Sequence, residues 1–146
     1  MASFPNNYIP AFPSDRAIDE RVQEFVSRFY ETSDDPTKNE EWLGYFLPDA
    51  VIIIGDKSAK GTEGLRKFRQ GMWEHVEQRR HTPEKVFPAS FGGTGDGAYV
   101  EYMLHGSLDL ITKNGEKQAI SWAGRAVLKD VEGNLKYQYY EVYLHK

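Results

Sequence analysis

The sequence has 146 residues, a length typical of one domain, and a formal net charge of −4 at pH 7. This acidic balance argues against nucleic acid as the main partner, because binding to phosphates requires a basic surface. The chain contains no cysteine, which excludes a thiol nucleophile, a cysteine-bound metal site and a disulfide framework.

Neither a membrane span nor an export signal is visible in the sequence. No apolar run approaches the roughly 18 residues of a spanning helix. The uncharged first 13 residues lack the basic and apolar regions of a signal peptide. We therefore expect a soluble, cytoplasmic protein.

The aromatic content is the most informative part of the composition. Three Trp, nine Tyr and eight Phe occur in a chain whose hydrophobic fraction is only 40%. Each aromatic side chain can bury a large area, and Tyr and Trp also carry a polar group. More aromatic residues than a core needs would suit a pocket for a flat organic ligand.

Residues 1–13 form an arm punctuated by prolines, and residues 14–146 form a single domain that begins with helices. Apolar residues recur at steps of three and four in the first part of this domain. The pattern predicts an amphipathic helix that is capped by Ser14 or Asp15 and ends near Ser33–Asp34.

A second, shorter helix is predicted where Thr37 and Glu40 form a capping box, and we expect it to stop at Pro48-Asp49. A β-branched run over residues 50–54 then predicts a buried strand. A third helix is predicted to begin at Gly61-Thr62.

The rest of the chain has the pattern of β-structure, with strands predicted over residues 79–90, 98–113, 117–129 and 135–145. Asn-Gly at 114–115 is a strong hairpin signal, because a type I′ turn needs positive φ at both central positions. Three early helices followed by a long, mostly antiparallel sheet make an α+β arrangement. A sheet that curls around the helices forms a cone whose open end is a natural ligand pocket.

Several sequence signals for cofactors and metals are absent. The glycine-rich segment 91–97 is predicted to be a hairpin loop and not a phosphate cradle, because neither a helix nor Lys-Ser/Thr follows it. No His-Glu-x-x-His sequence or close histidine pair suggests zinc, and no Gly-x-Ser-x-Gly elbow suggests a serine hydrolase. We therefore expect neither a metal nor a cofactor.

Histidine exchanges protons near neutral pH, so the four histidines are the first catalytic candidates. His81, at the start of a strand, either lines the pocket or satisfies a hydrogen bond in the core. Asp34, at the end of the first helix, either orients a histidine or helps to terminate the helix. His75 and His145 are expected to be solvated.

The alternation of strand 98–113 decides where His105 points. The alternating apolar residues from Val100 to Leu110 lie on one face of the strand, and His105 lies on the other. With the apolar set facing inward, His105 faces outward into a dimer interface, unless a bulge at Gly106 reverses the alternation.

The last strand also divides into two faces. One face carries Leu135, Tyr137, Tyr139, Glu141 and Tyr143. We assign it inward, because the other face begins with Lys136 and Gln138. Glu141 would then lie in an aromatic wall and be a usable general acid or base. The alternative is an ion pair between Glu141 and Arg125 on the neighbouring strand.

The opposite face of the last strand carries the apolar residues Tyr140, Val142 and Leu144. Because this face is assigned outward, these residues support a homodimer that uses the outer face of the sheet.

Aromatic and cationic side chains are the candidates for substrate binding. They are Tyr30, Arg69, Trp73, Tyr102, Trp122, Tyr139 and Tyr143. Aromatic rings can hold a planar ligand, and phenolic hydroxyls can donate to a carbonyl or enolate oxygen. The alternative is that the aromatic residues belong to the core and that Arg69 is solvated instead of holding an anionic oxygen.

Several short signatures follow one another in order between about residues 15 and 145. They are Phe29-Tyr30, Trp42, Phe46 to Val51, Gly61, Arg69, Met72-Trp73, Arg80-His81, Trp122 and Tyr139 to Leu144. In this order and spacing the chain resembles the SnoaL-like polyketide cyclases, especially fungal members tied to secondary metabolism. They belong to the nuclear-transport-factor-2-like superfamily. The resemblance implies a cone-shaped α+β barrel, a small-molecule substrate and a homodimer.

Scytalone dehydratase, another member of this superfamily, uses an aspartate at the end of the first helix and two histidines on strands. Asp34, His81 and His105 fall at similar points here, so this resemblance implies an acid–base role for them. The chain departs from that pattern on the first strand, where Ile54 or Gly55 stands in place of a pocket tyrosine.

We predict a cofactor-independent isomerase, cyclase or dehydratase that acts on an aromatic or polyketide-derived small molecule. His81 or Glu141 would abstract a proton next to a carbonyl, and Asp34 would hold a histidine tautomer. A tyrosine or histidine would stabilise the enolate. The alternative is a non-catalytic ligand-binding or dimerisation module, because the superfamily also contains members without catalytic activity.

Overall fold

The computed structural model describes residues 8–91 and 97–145, which form a curved six-stranded sheet with three helices packed against it. The elements are α1 (Glu20–Ser33), α2 (Asn39–Leu43), β1 (Phe46–Ile54), β2 (Lys57–Lys60), α3 (Gly61–Met72), β3 (Val76–Ala89), β4 (Val100–Thr112), β5 (Lys117–Val131) and β6 (Asn134–His145). The strand order is β2-β1-β6-β5-β4-β3. Only β1 and β6 are parallel among these neighbours. The predicted α+β class, early helices and mostly antiparallel sheet are confirmed.

Two of the predicted segments lie partly or largely outside the described residues. Of the predicted arm, residues 8–13 are described, and Ala11 forms an isolated bridge with Lys85 of β3. The predicted glycine-rich hairpin loop is described only at its two end residues, Phe91 and Gly97. Over the two described ranges, no helix combines the length and the apolar character needed to cross a membrane.

Helix α1 begins later than the sequence pattern suggested. Its N-cap is Asp19, whose side chain accepts a hydrogen bond of 2.8 Å from the backbone nitrogen of Arg21. The predicted cap at Ser14 or Asp15 is therefore wrong, because Asp19 satisfies a free N–H of the first helical turn.

The second helix is shorter than predicted, and the strand after it is longer. Thr37 does not cap α2, since its backbone nitrogen donates to Asp35 in a local turn. Pro48-Asp49 lies inside β1 and does not end a helix. The pairing of β1 with β6 is irregular around this point, where proline has no N–H to donate. The short polar strand β2 was not predicted, because it lacks apolar alternation.

The core is largely aromatic and is centred on the buried Phe29. The rings within 6.4 Å of Phe29 belong to Phe25, Tyr30, Trp42, Tyr45, Phe46, Tyr137 and Tyr140. Most of these contacts are edge-to-face, the geometry that aromatic quadrupoles favour. Much of the aromatic content therefore packs α1 and α2 against β1 and β6.

A bulge reverses the alternation of β6. Leu128 of β5 pairs with Tyr137, and Val127 pairs with Tyr139, so that Gln138 has no partner in β5. Because side chains alternate between the two faces of a strand, one extra residue moves every later side chain to the opposite face.

The bulge overturns the predicted faces of the last strand beyond Tyr137. Tyr140, Val142 and Leu144 face inward, so they no longer support a dimer interface. Tyr139, Glu141 and Tyr143 are less buried and lie on the outer face of the sheet. Glu141 is therefore not in the aromatic wall that the sequence alternation suggested.

The alternation of β4 continues through Gly106 without a reversal. Leu104 and Leu108 are both buried, and His105 between them lies on the outer face, where its ring is 6.1 Å from that of Phe87. Gly106 itself is pressed against β3. A Cβ atom at this position would lie 2.4 Å from the carbonyl oxygen of Thr82.

We expect Gly106→Ala to lower the free energy of unfolding by roughly 1–3 kcal/mol, because the added methyl group meets backbone atoms that cannot move independently. The control is Gly71→Ala in α3, where a Cβ atom would meet nothing within 4 Å and alanine is the better helix former. Urea denaturation measures both. Equal stability of Gly106→Ala and wild type would contradict the close approach.

Candidate functional site

A cavity of about 460 Å³ lies between the helices and the sheet. Its inner wall is mainly apolar and aromatic, with Phe29, Trp42, Ile52, Leu108, Trp122 and Val142 among its lining residues. Exposed polar residues line its mouth, namely Asp56, Lys57, Glu74 and Gln118. This volume falls within the range of about 300–1,000 Å³ that is usual for small-molecule sites.

His81 lines this cavity, and the carboxylate of Asp34 fixes its position by hydrogen bonds. Nδ1 of His81 donates to Oδ1 of Asp34 at 2.6 Å, and the backbone nitrogen of His81 donates to Oδ2 at 2.7 Å. The hydroxyl of Tyr8 also donates to Oδ2, at 2.8 Å. Nε2 of His81 has no hydrogen-bond partner among the described residues. Because the carboxylate accepts the Nδ1 proton, Nε2 keeps its lone pair and can act as a base.

Asp34 is placed by a buried arginine at the end of α1. Arg69 of α3 donates to the carbonyl oxygens of Ser33 and Asp35 at 2.7 Å each, and to that of Thr32 at 3.4 Å. Its Nε donates to the side chain of Asn39 at 2.8 Å. Burial lowers the pKa of Arg69 to about 10, so the side chain is still a cation at neutral pH. The positive charge offsets the negative end of the helix dipole beside Asp34.

Two tyrosine hydroxyls form a buried pair next to the histidine. Tyr30 and Tyr140 lie 2.7 Å apart at their hydroxyl oxygens, and Tyr140 lines the cavity. The Tyr30 ring is 5.0 Å from that of His81 and 5.3 Å from that of Trp122. Burial raises the pKa of both tyrosines well above the usual value, so both hydroxyls remain neutral donors at physiological pH.

Arg79 also lines the cavity, two residues before His81 on β3. Its guanidinium carbon lies 5.1 Å from the centre of the Trp73 ring. Burial lowers the pKa of Arg79 to about 10, an effect that the nearby charge of Asp34 opposes. As to metals, no three His, Cys, Asp or Glu side chains are grouped closely enough to bind an ion in the part of the chain described here.

Comparison with known proteins identifies the fold. No family model matches the sequence, and no curated protein matches it. Solved structures do match. A protein from Novosphingobium aromaticivorans DSM 12444, provisionally assigned as a scytalone dehydratase, has a TM-score of 0.76 at 12% identity, over 87% of this chain and 83% of that one. Nuclear transport factor 2 from Cryptosporidium parvum has a TM-score of 0.69 at 13% identity, over 86% and 93%.

The chain has the nuclear-transport-factor-2-like fold. A type 2 hexachlorocyclohexane dehydrochlorinase shares it, with a TM-score of 0.74 at 14% identity over 87% of this chain and 84% of that one. At such identities the similarity establishes the fold alone, which hosts more than one activity.

The nuclear-transport-factor-2-like fold brings together some of the predicted site residues. His81 and Trp122 line the cavity. Asp34 lies behind His81, and Tyr30 lies behind Tyr140. These four residues come from α1, β3 and β5 and meet at the inner end of the cavity.

Other predicted site residues lie elsewhere. His105, Glu141, Tyr139 and Tyr143 lie on the outer face of the sheet, with the Tyr139 hydroxyl donating to Glu141 at 2.5 Å. Arg125 pairs with Glu101 at 2.7 Å and not with Glu141.

The remaining three binding candidates are not in the cavity wall either. Tyr102 is buried in the core. Arg69 is buried and donates to the end of α1, so it is not solvated. Trp73 lies between two arginines, with its ring 5.5 Å from the Arg69 guanidinium and 5.1 Å from that of Arg79.

Sequence reasoning missed Arg79 and Tyr140 as cavity residues. Arg79 has the same parity as His81 on one strand, and this spacing was a signal that could have identified it. Tyr140 could not be found in that way, because the bulge at Gln138 changes its face and nothing in the local sequence marks the bulge.

We expect Arg69→Met to lower the free energy of unfolding by about 2–5 kcal/mol, because it removes the donor that satisfies several carbonyl oxygens at the end of α1. Arg66→Met is the matched control on the same helix, since Arg66 forms exposed ion pairs with Glu40 and Glu63, which contribute little. Chemical denaturation distinguishes the two. Similar denaturation midpoints for both variants would show that Arg69 is not the structural residue described here.

Proposed function

We propose that the cavity is the active site of a cofactor-independent enzyme that abstracts a proton next to a carbonyl of an aromatic or polyketide-derived small molecule. The observation that carries this proposal is the Asp34–His81 pair, whose free Nε2 faces an apolar cavity of about 460 Å³. A general base needs a fixed tautomer, access to substrate and protection from bulk water, and this site supplies all three.

The reaction begins with Nε2 of His81. It takes the proton from the carbon next to the carbonyl. The electron pair of the broken C–H bond forms a carbon–carbon double bond, and the π pair of the carbonyl moves onto its oxygen, which gives an enolate. The carboxylate of Asp34, 2.6 Å from Nδ1, stabilises the imidazolium that forms. The side chains of His81 and Asp34 are only 13% and 5% exposed, so water screens their interaction weakly.

Tyr140 is the donor that we assign to the enolate oxygen. The residue lines the cavity, and its hydroxyl is paired with that of Tyr30. The pair is neutral, so it can donate a hydrogen bond without itself supplying a charge, and burial strengthens such a bond. Trp42 and Trp122 provide flat apolar surface for the rest of the substrate.

Three outcomes share this first step. The imidazolium can return the proton to another carbon, which gives isomerisation. The enolate carbon can attack a second carbonyl of the same molecule, which gives cyclisation. The imidazolium can protonate a leaving hydroxyl, which expels water. The neighbours provisionally assigned as a scytalone dehydratase and named as a dehydrochlorinase support chemistry of this class.

The alternative of a non-catalytic module receives less support from the cavity. A dimerisation module of this fold needs no open interior, and a ligand-binding module needs no positioned base, whereas the cavity here is open and has His81, Arg79 and Tyr140 at its wall. We therefore favour the enzyme.

Hydrogen–deuterium exchange of 2-tetralone in D2O, followed by proton NMR, tests the first step without knowledge of the natural substrate. We expect wild-type protein to accelerate exchange of the α-protons, and His81→Gln to slow it by about 10²-fold or more, because the base is removed. Asp34→Asn is expected to slow the exchange at least about tenfold. The neutral amide of Asn lacks the negative charge that holds the proton on Nδ1 of His81.

Glu141→Gln is the matched control, because Glu141 is a carboxylate on the outer face of the sheet. It should exchange at the wild-type rate. Thermal melting of each variant checks that the fold is kept. The same exchange rate in wild type and His81→Gln would refute the proposal, whether both are fast or both match buffer alone.

We also propose that the protein is a homodimer, as its family resemblance implies. Phe87, Met103 and Tyr143 lie on the outer face of the sheet with 51%, 42% and 46% of their surface exposed. Phe87 and Met103 are paired neighbours on β3 and β4. Exposed apolar side chains of this kind on the outer face are what a second copy would cover.

Sedimentation velocity at micromolar concentration is expected to show a dimer, and Met103→Lys to shift it toward monomer by placing a charge in the interface. Val131→Lys is the control, because Val131 is also exposed but lies at the far end of β5 beside the turn to β6. A monomeric wild type would remove the proposal.

A further inference from the structure

Arg79 is a partly buried cation whose hydrogen bonds are incomplete. Its Nε and Nη1 atoms are buried and have no hydrogen-bond partner among the residues that the structure describes. The side chain lines the same cavity as His81. Buried guanidinium donors normally find acceptors, since an unpaired buried donor costs free energy.

Arg69 shows what a satisfied arginine looks like at the same place. Both guanidinium groups lie against the Trp73 ring, at 5.5 and 5.1 Å. Arg69 uses its donors on backbone carbonyls of the α1 end and on Asn39. Nε and Nη1 of Arg79 have no such acceptors among the described residues, so these two donors can bind an acceptor of a ligand once the side chain turns them toward the cavity.

The carboxylates near Arg79 do not supply the missing acceptors. Both oxygens of Asp34 already accept from His81, and one also accepts from Tyr8. The other carboxylates that line the cavity, Asp56 and Glu74, are exposed. Arg79 also lines a neighbouring, more polar pocket, and none of the described carboxylates there accepts a hydrogen bond from its Nε or Nη1. The cation at Arg79 therefore lies in a mainly apolar cavity without a bonded anion, which is an unfavourable arrangement until one binds.

We propose that Arg79 binds a carboxylate of the substrate, so that the enzyme acts on aromatic or polyketide-derived keto acids. This inference rests on the proposed function, because it places the carboxylate and the reacting carbon in one cavity. Residues two apart on a strand are about 7 Å apart at Cα. A carboxylate held at Arg79 therefore places a carbon a few bonds away next to His81.

Equilibrium binding of simple aromatic acids tests this proposal, with the tryptophan fluorescence of the protein as the signal. The probes are 2-naphthoate and benzoate, each compared with its neutral amide of nearly the same shape. We expect wild type to bind each acid about 10- to 100-fold more tightly than the amide, the range typical of hydrogen bonds to charged groups. We expect Arg79→Gln to remove this preference.

The matched control is Arg80→Gln, which removes the same charge from the next residue. Arg80 points to the other side of the strand and is not among the residues that line the cavity. It should leave the preference for the acids unchanged. Arg79→Lys keeps the charge but loses the planar fork, and is expected to retain part of the preference. Melting curves with and without 2-naphthoate give a second reading, because a bound ligand raises the midpoint.

Each of several results would overturn the proposal. They are equal affinity of wild type for acid and amide, an unchanged preference in Arg79→Gln, and failure of both acids to bind at millimolar concentration. Loss of the preference in Arg80→Gln as well would show that the preference comes from the overall positive charge of the region and not from Arg79. That result would also overturn the proposal. These measurements need no turnover. A failed proton-exchange test with His81→Gln would therefore leave carboxylate binding by Arg79 standing, and the reverse also holds.

Discussion

The bonds from the Arg69 guanidinium to the carbonyl oxygens of Thr32, Ser33 and Asp35 hold the end of α1 in place, and the site depends on them. A helix end leaves its last carbonyl groups without partners, and its dipole repels a nearby carboxylate. Arg69 corrects both problems at once. Asp34 can therefore remain beside the helix end and fix the imidazole of His81.

The cavity exists because the aromatic core fills only part of the space that the curved sheet encloses. Phe29 and the rings around it fill the space between α1, α2 and the adjoining strands, and the curved sheet continues beyond them. Tyr140 at the edge of that core and Trp122 beyond it line an open interior. Edge-to-face packing makes this core rigid, which keeps the histidine, the tyrosine pair and Arg79 at fixed positions.

The charged groups in and around this cavity interact strongly because they are little exposed to water. Asp34 is paired with His81, and Arg69 is paired with carbonyl dipoles, whereas two donors of Arg79 are unpartnered. In a medium that screens poorly, these groups act over longer distances than they would at the surface. An anionic substrate would supply the missing partner of Arg79 and bring its reacting carbon to His81. Binding and proton transfer would then use nearby positions of one strand.

The amino-acid sequence by itself determined the fold class, because helix and strand periodicities and the Asn-Gly turn are local signals. It also indicated Asp34, His81, Tyr30 and Trp122. It placed Tyr139, Glu141 and Tyr143 on the wrong face, because strict alternation fails at an unpaired residue and the bulge at Gln138 depends on pairing with β5. Only the tertiary structure decided that Arg69 has acceptors for its donors, while Nε and Nη1 of Arg79 have none within residues 8–91 and 97–145. The local sequence pattern around an arginine does not show whether its donors will find acceptors. The acceptors of Arg69 lie at the end of α1 and at Asn39, which are distant from it in the chain.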